Sequence, residues 1–205
     1  MAESKRDNIL NAAEQLFASS GFEGTTTRAI AGKADVNIAM LSYYFGSKEQ
    51  LLYAVLERFS DRLMNVFRDI HTDYADPEQR LRQWLIAYID YIFEHPNHAK
   101  IVYHQASLSQ RKEDVNKLVK EFNKIRSIVL DAIKEGIDSG AFRQIDAQLA
   151  ITSIIAPVNS IVLESNVIRQ RLNIEAEPGK LYPEVFKERV KKHMLDVFEA
   201  VLLKR

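Results

Sequence analysis

There is no cysteine in the 205 residues. That excludes a disulfide framework, a thiol nucleophile and every Cys-based zinc or iron–sulfur site, and it fits a reducing, cytoplasmic setting. There is no net charge either. Lys and Arg number 28 against 28 Asp and Glu, so the overall balance points to no polyanionic partner. No run of about 18 apolar residues occurs, so no membrane span is expected. The polar start, MAESKRDNIL, lacks the apolar centre of a secretion signal. A HExxH pair, a glycine-rich phosphate loop and a Ser/His/Asp arrangement are all missing, so neither catalysis nor a cofactor is expected. Glycine (7) and proline (5) are scarce and fall in clusters, which leaves long uninterrupted segments between them.

Those segments carry helical periodicity, with no strand alternation. Residues 4–19 place Ile9, Ala13, Leu16 and Phe17 on one face, and Gly21 stops them. Residues 48–70 follow a Ser47–Gln50 capping box, with Leu52, Val55, Phe59, Leu63 and Val66 as the apolar stripe. Further helices are expected over 78–94, 97–109 and 113–138, the last with Val115, Leu118, Phe122, Ile125, Val129 and Ile133. Asp146 is placed to cap a helix running to about Leu172 with a kink at Pro157. A loop over 173–181 precedes a final helix at 183–203. The expected fold class is all-α, with about nine helices. A three-helix head over residues 1–50 precedes a helical domain over 51–205.

The stretch 25–47 differs from the rest in having two short helices around a four-residue turn. Thr25 or Thr26 can cap the first, and Asn37 can cap the second. Asp35 sits where the chain must turn and tolerates a left-handed backbone. Val36, Leu41 and Phe45 supply the core side, leaving Ile38, Ala39, Met40, Ser42, Tyr43 and Tyr44 to face outward. A helix entering the major groove needs small residues for close approach, apolar groups for thymine methyls, and hydroxyls for phosphates or base edges. That surface offers all three. Lys48, with the first amides of its helix, is expected to hold a phosphate, and Arg28 to do the same from the preceding helix. Two adjacent tyrosines alone would more simply be core aromatics. The full spacing of cap, Ile-Ala, turn, cap, aromatic pair and Phe-x-x-Lys-Glu is far more specific.

AEQLFASSGFEGTT, then RAIAGKADV, then LSYYFGSKEQLL resembles the TetR (tetracycline-repressor) family of transcription regulators, over about residues 5–56. The resemblance implies that Thr27 and Arg28 meet phosphate or base edges, that Asn37 is a phosphate-contacting cap, and that Ile38, Ala39, Met40 and Ser42 read bases. It implies backbone and apolar base contacts for Tyr43 and Tyr44, and a phosphate contact for Lys48. Asp35, Ile38 and Ser42 depart from the family's common Gly, Lys and Tyr. Residues 1–50 hold five bases against six acids, whereas 25–48 hold three bases against Asp35 alone. Hydroxyl and amide contacts must therefore do much of the positioning on DNA. A dimer doubles the contacts, with half-sites about 34 Å apart for adjacent major grooves.

The larger domain offers material for an effector pocket. Met64, Phe67, Trp84, Tyr88, Tyr91, Tyr103, Phe122, Ile125 and Val129 form the candidate wall, with Arg126 and Asn159 as polar anchors. Plain core packing is the simpler account of any one of these aromatics. The resemblance implies a ligand-gated repressor without identifying the ligand. AITSIIAPVNSIVLESNVI is apolar on more than one face, and with the last helix it is the expected homodimer contact. His95, His98 and His104 lie within ten residues, but a helix-start position next to Pro96 favours loop or cap roles, so no metal is expected. The sequence thus reads as a DNA-binding regulator, a repressor, that binds a near-palindromic operator as a dimer and answers a small molecule. The competing reading is an all-α small-molecule-binding protein or enzyme that keeps the helix-turn-helix for packing only.

Overall fold

Side-chain caps and glycines set the ends of the first helices. In the computed structural model, which describes residues 4–108, 112–175 and 177–204, Ser4 caps α1 (Lys5–Ser20), and Gly21 ends it at φ 68°. Thr26 caps α2 (Thr27–Lys33), and Asn37 caps α3 (Ile38–Phe45), which ends at Gly46. The Ser47 hydroxyl accepts the Gln50 amide at 3.2 Å and caps α4 (Lys48–Asp73), but the expected reciprocal half is replaced: the Ser47 amide donates to the Phe45 carbonyl at 2.9 Å. Asp76 caps α5 (Pro77–Glu94), with α6 (Pro96–Leu108) and α7 (Lys112–Asp138) following. Asp146 caps α8 (Ala147–Leu163), which precedes α9 (Ser165–Arg171) and α10 (Glu184–Leu202). Among the described residues the only β-type pairing is an isolated Phe142–Leu203 bridge. The side chains of Val115 and Leu118, expected in the α7 stripe, lie outside what is described.

The expected helix from 146 to 172 is two helices, and the break is not at Pro157. α8 runs through Pro157, which lies on its exposed side; Ser153, whose carbonyl loses its partner there, is exposed too. The chain turns instead at Glu164, by 85° between α8 and α9. The buried Tyr182 hydroxyl donates to the Ile161 carbonyl at 2.8 Å, and the Ser160 hydroxyl meets the Glu164 carboxylate at 2.7 Å. The first bond gives a partner to a carbonyl at the end of the α8 ladder. Burial pushes the Tyr182 hydroxyl up to about 12, against the nearby Arg169 charge.

The chain forms two compact units. The first comprises residues 1–62 and 97–122, and the second comprises 63–96 and 123–205. The expected boundary at residue 50 cuts through the first unit's core. Ile9, Ala13, Phe17, Ile30 and Leu41 pack with Leu51, Leu52, Val55, Leu56 and Phe59 of α4 and with Ile101 of α6. Arg58 adds a bidentate tie from α4 to α1, donating to Asn11 at 2.8 Å and Glu14 at 2.6 Å. In the second unit α10 packs on α5 and α8, and α5 packs on α8. Met194, Phe198 and Phe142 are buried there, and Arg82 joins Glu78 and Glu199 while lying 5.1 Å above the Phe198 ring. Full burial of each such side chain contributes about 1.5–3 kcal/mol.

Two backbone sites test this packing. A Cβ at Gly136 would penetrate the van der Waals envelope of the buried Phe142 ring. Gly136→Ala is expected to cost about 1–3 kcal/mol in urea unfolding, the range for overpacked cores. Asp35 holds φ 52° between α2 and α3. Asp35→Gly should unfold within about 1 kcal/mol of the wild type, whereas the β-branched Asp35→Val should lose about 1–3 kcal/mol.

Candidate nucleic-acid interface

α3 has eight residues, too few to be stable alone, so its surface exists only because the core holds it. Leu41 and Phe45 point inward and are buried. The turn beneath is closed by Val36 N–H donating to the Ala31 carbonyl at 3.0 Å, and the Asn37 side chain accepts the Ala39 amide at 3.0 Å. Ile38 (40% exposed), Ala39, Ser42, Tyr43 (82%) and Tyr44 (37%) then face solvent. The two tyrosine rings meet edge-to-face at 5.1 Å, which makes one aromatic platform of two side chains. Met40 departs from the expected surface, because it is half-buried and packs against the core. It lies about one turn from the partly buried Val36 that precedes the helix, so its face is set by the angle at which α3 docks.

On α2, Thr27 and Arg28 are both exposed at the helix start. Of the two candidate caps, Thr26 takes the role, accepting the Ala29 amide at 3.1 Å. Thr25 is buried instead, its hydroxyl 2.7 Å from the Gly21 carbonyl and 3.1 Å from that of Leu16. Lys48 also differs from expectation. Its ammonium donates to the Phe22 carbonyl at 2.9 Å and the Thr25 carbonyl at 3.0 Å, and it lies 4.1 Å above the Phe22 ring. Arg6, which periodicity did not single out, places its guanidinium 5.3 Å from the Phe45 ring at the end of α3. No local signal links residues 39 apart.

Two of the expected effector residues, Met64 and Phe67, line one cleft. Within the second unit a cleft of about 340 Å³ is lined by Met64, Phe67, Arg68 and His71 of α4, Arg80 of α5, and Ile128, Asp131, Ala132 and Glu135 of α7. Only Met64 and Phe67 of the eleven candidates line it. Trp84 lies behind that wall. Its ring stacks on Phe67 at 5.4 Å and on His71 at 6.4 Å, and its indole N–H donates to the Phe67 carbonyl at 3.0 Å. The buried Arg80 guanidinium donates to the Tyr74 and Ala75 carbonyls and pairs with Glu135 at 3.0 Å.

Tyr88 and Asn159 use their polar groups on each other, hydroxyl to amide oxygen, at 2.7 Å. Burial drives the Tyr88 hydroxyl pKa upward, the Asn159 hydrogen bond opposing weakly. Arg126 reaches Gln148 and Thr152 of α8. Tyr91 and Ile125 are buried, and Val129 is half-buried. Tyr103 and Phe122 belong to the first unit, Tyr103 exposed and Phe122 half-buried on its core. The histidines are spread over separate ring contacts: His98 on Phe59 at 4.2 Å, His95 on Tyr91 at 4.8 Å, His104 on Tyr103 at 6.3 Å. Among the described residues no three His, Asp or Glu side chains gather as a metal site.

Comparison with known proteins bears on this head. Residues 9–55 match the family model for bacterial regulatory proteins of the tetR family, and 74–163 match a tetracyclin repressor-like C-terminal domain. The chain is 34% identical over 177 residues to the HTH-type transcriptional repressor NicS of Pseudomonas putida, covering 84% of this chain and 80% of that protein. It is 32% identical over 142 residues to the HTH-type transcriptional repressor KstR2 of Mycobacterium tuberculosis, covering 68% and 70%. Among solved structures, the hemolysin II transcriptional regulator HlyIIR superposes with TM-score 0.69 at 26% identity over 98% of both chains. The ketosteroid transcriptional regulator KstR2 of Mycobacterium tuberculosis superposes at 0.71 and 24% identity, over 100% of this chain and 98% of that one, a likeness of fold. A solvent-facing α3 held by a capped four-residue turn, in a chain that shares a third of its aligned residues with a repressor across most of both lengths, is the head of a DNA-binding transcription regulator, and the chain belongs to the TetR family.

Proposed function

We propose that the protein is a repressor that binds a near-palindromic operator as a homodimer and releases it when a small molecule occupies the second unit. The exposed Tyr43, beside the exposed Ala39 and Ser42 and the partly exposed Ile38 and Tyr44, carries this reading. Five such groups facing water on an otherwise anchored helix are costly to keep unless a partner covers them. Ala39 lets the helix approach the groove, Ile38 and the tyrosine edges meet thymine methyls, and Ser42 reaches a base edge or phosphate. Thr27, Arg28 and Asn37 fix the register on the backbone, joined by Arg6. The named repressors among its relatives support repression over activation.

Dimerisation is assigned to α8 and α10. Their inner residues fill the second unit's core, yet Leu149 on α8 and Val185 at the start of α10 stay exposed. Apolar residues left over after a helix has packed within its own subunit are what a symmetric contact uses. The effector is assigned to the α4–α5–α7 cleft, whose walls join apolar Met64, Phe67 and Ile128 to the Arg80–Glu135 pair. α4 is continuous from Lys48 to Asp73, so residues of the cleft and of the DNA-binding head share one helix. A ligand that prefers one position of that helix shifts operator affinity by its differential affinity for the two states.

Selection from random double-stranded DNA, at stated salt, tests the first part. The wild type should enrich one inverted repeat, and Tyr43→Ala should enrich none while its unfolding free energy changes by no more than about 0.5 kcal/mol, as for exposed sites. Enrichment of the same repeat by Tyr43→Ala would remove the role given to α3. The single tryptophan, Trp84, stacks against the cleft wall and reports the second part. A compound that fills the cleft should change Trp84 emission and weaken operator binding with the dimer intact in sedimentation. Dissociation of the dimer by that compound would overturn the shared-helix mechanism.

A further inference from the structure

We infer that Lys48 is a positioning residue for operator reading: its ammonium fastens the first turn of α4 to the loop that delivers α2, and it is not spent on DNA phosphate. The inference deepens the proposed function and rests on the DNA-reading role given to α3.

The loop between α1 and α2 is closed at several points. The Gly21 amide donates to Phe17, and the Thr25 amide donates to the Phe22 carbonyl. The Thr25 hydroxyl sits against the Gly21 and Leu16 carbonyls. The Phe22 ring is buried 5.8 Å from Phe17, and a Cβ on Gly24 would collide with the Ser20 carbonyl. Lys48 completes the closure from 23 and 26 residues away, through the Phe22 and Thr25 carbonyls and the face of the Phe22 ring. Hydrogen bonds from a charged donor are about twice as strong as neutral ones, and a cation over an aromatic face adds to them.

Thr26, the cap of α2, follows Thr25 directly, and the exposed Thr27 and Arg28 come next. Whatever fixes the Thr25 carbonyl therefore fixes where these groups stand. Two of the three ammonium N–H donors are engaged on the protein, and the side chain is half-buried. A phosphate would compete for an ammonium that already holds two carbonyls, and would weaken an internal tie for a contact that salt screens. The tie also makes the start of α4 and the start of α2 one mechanical piece, so a displacement of α4 arrives at Thr27 and Arg28.

The test uses the full-length wild type, K48M, which keeps the apolar stem, and K48R, which keeps the charge and the donors, on the operator recovered by selection. K48M should bind about tenfold or more weakly, with the slope of log affinity against log salt unchanged from the wild type, because contacts are misplaced and no phosphate contact is removed. Amide hydrogen exchange over residues 22–28 should quicken in K48M, and K48R should restore both affinity and protection. A salt slope shallower by about 0.9 for each subunit, with exchange unaltered, would make Lys48 a phosphate ligand and overturn the inference. Undiminished affinity in K48M would overturn it too. Should K48M not fold, the ¹⁵N signal of the wild-type Lys48 ammonium decides. It should keep its shift when operator binds, and a move accompanied by coupling to operator phosphorus would refute the tie. Failure of the wild type to enrich any site strikes the DNA reading itself, which separates that failure from one confined to K48M.

Discussion

The burial of Leu41 and Phe45 decides what the whole head can do. Both lie on α3, which is too short to persist by backbone hydrogen bonds alone. Once these two side chains are seated, the helix can rotate no further. The pair fixes Tyr43 outward, and it also brings Met40 partly inward. The seat is built from α1, α2 and the first half of α4, so the core that holds α3 reaches well past the helix-turn-helix itself. A damaged contact at Val55 or Phe59 would thus disturb the DNA-facing surface without touching it, and this follows from the density of packing in protein interiors.

Charge plays a smaller part in this head than in many DNA-binding surfaces. Residues 1–50 carry more acids than bases, and one of the bases, Lys48, is occupied inside the fold. The other four bases, Lys5, Arg6, Arg28 and Lys33, are exposed, beside hydroxyls and aromatic edges. On the proposed reading such a surface would hold DNA mainly through fit and hydrogen-bond geometry, with a shallow dependence on salt. It favours a reader that discriminates between sequences over one that clings to any duplex. Precision of placement then matters more than the number of cations, and the closed loop before α2 supplies precision.

The second unit uses its aromatic residues chiefly as core. Trp84, Tyr91 and Phe198 are buried, and Tyr88 is paired with Asn159. The cleft that remains is edged by charged residues that already have partners: Arg80 with Glu135, and Asp131 with Lys134 at 3.9 Å. A ligand in such a place competes with existing pairs as well as filling space. The Arg80–Glu135 pair at its edge links α5 to α7.

Local rules in the sequence determined most of the helices. Ser4, Asn37, Ser47, Asp76 and Asp146 cap where the chain has a short oxygen-bearing side chain before an apolar stripe. The turn at Asp35 and the outward tyrosines were legible for the same reason, because a helix's period assigns faces residue by residue. What depended on distant partners was not legible. Pro157 carried the local signal for a kink, yet the chain turns at Glu164, beside an Ile161 carbonyl that the Tyr182 hydroxyl takes from 21 residues further on. Lys48 read as a phosphate contact, because nothing nearby in sequence shows that it will donate to two carbonyls 23 and 26 residues earlier. The eleven candidate pocket residues read as one wall, and only packing could show that Met64 and Phe67 line the α4–α5–α7 cleft while Tyr88 pairs with Asn159. Hydrogen bonding within a turn and apolar periodicity act over a few residues and so are written in the chain. The partner of a buried polar group is chosen by which helices meet, and that is decided by the tertiary fold alone.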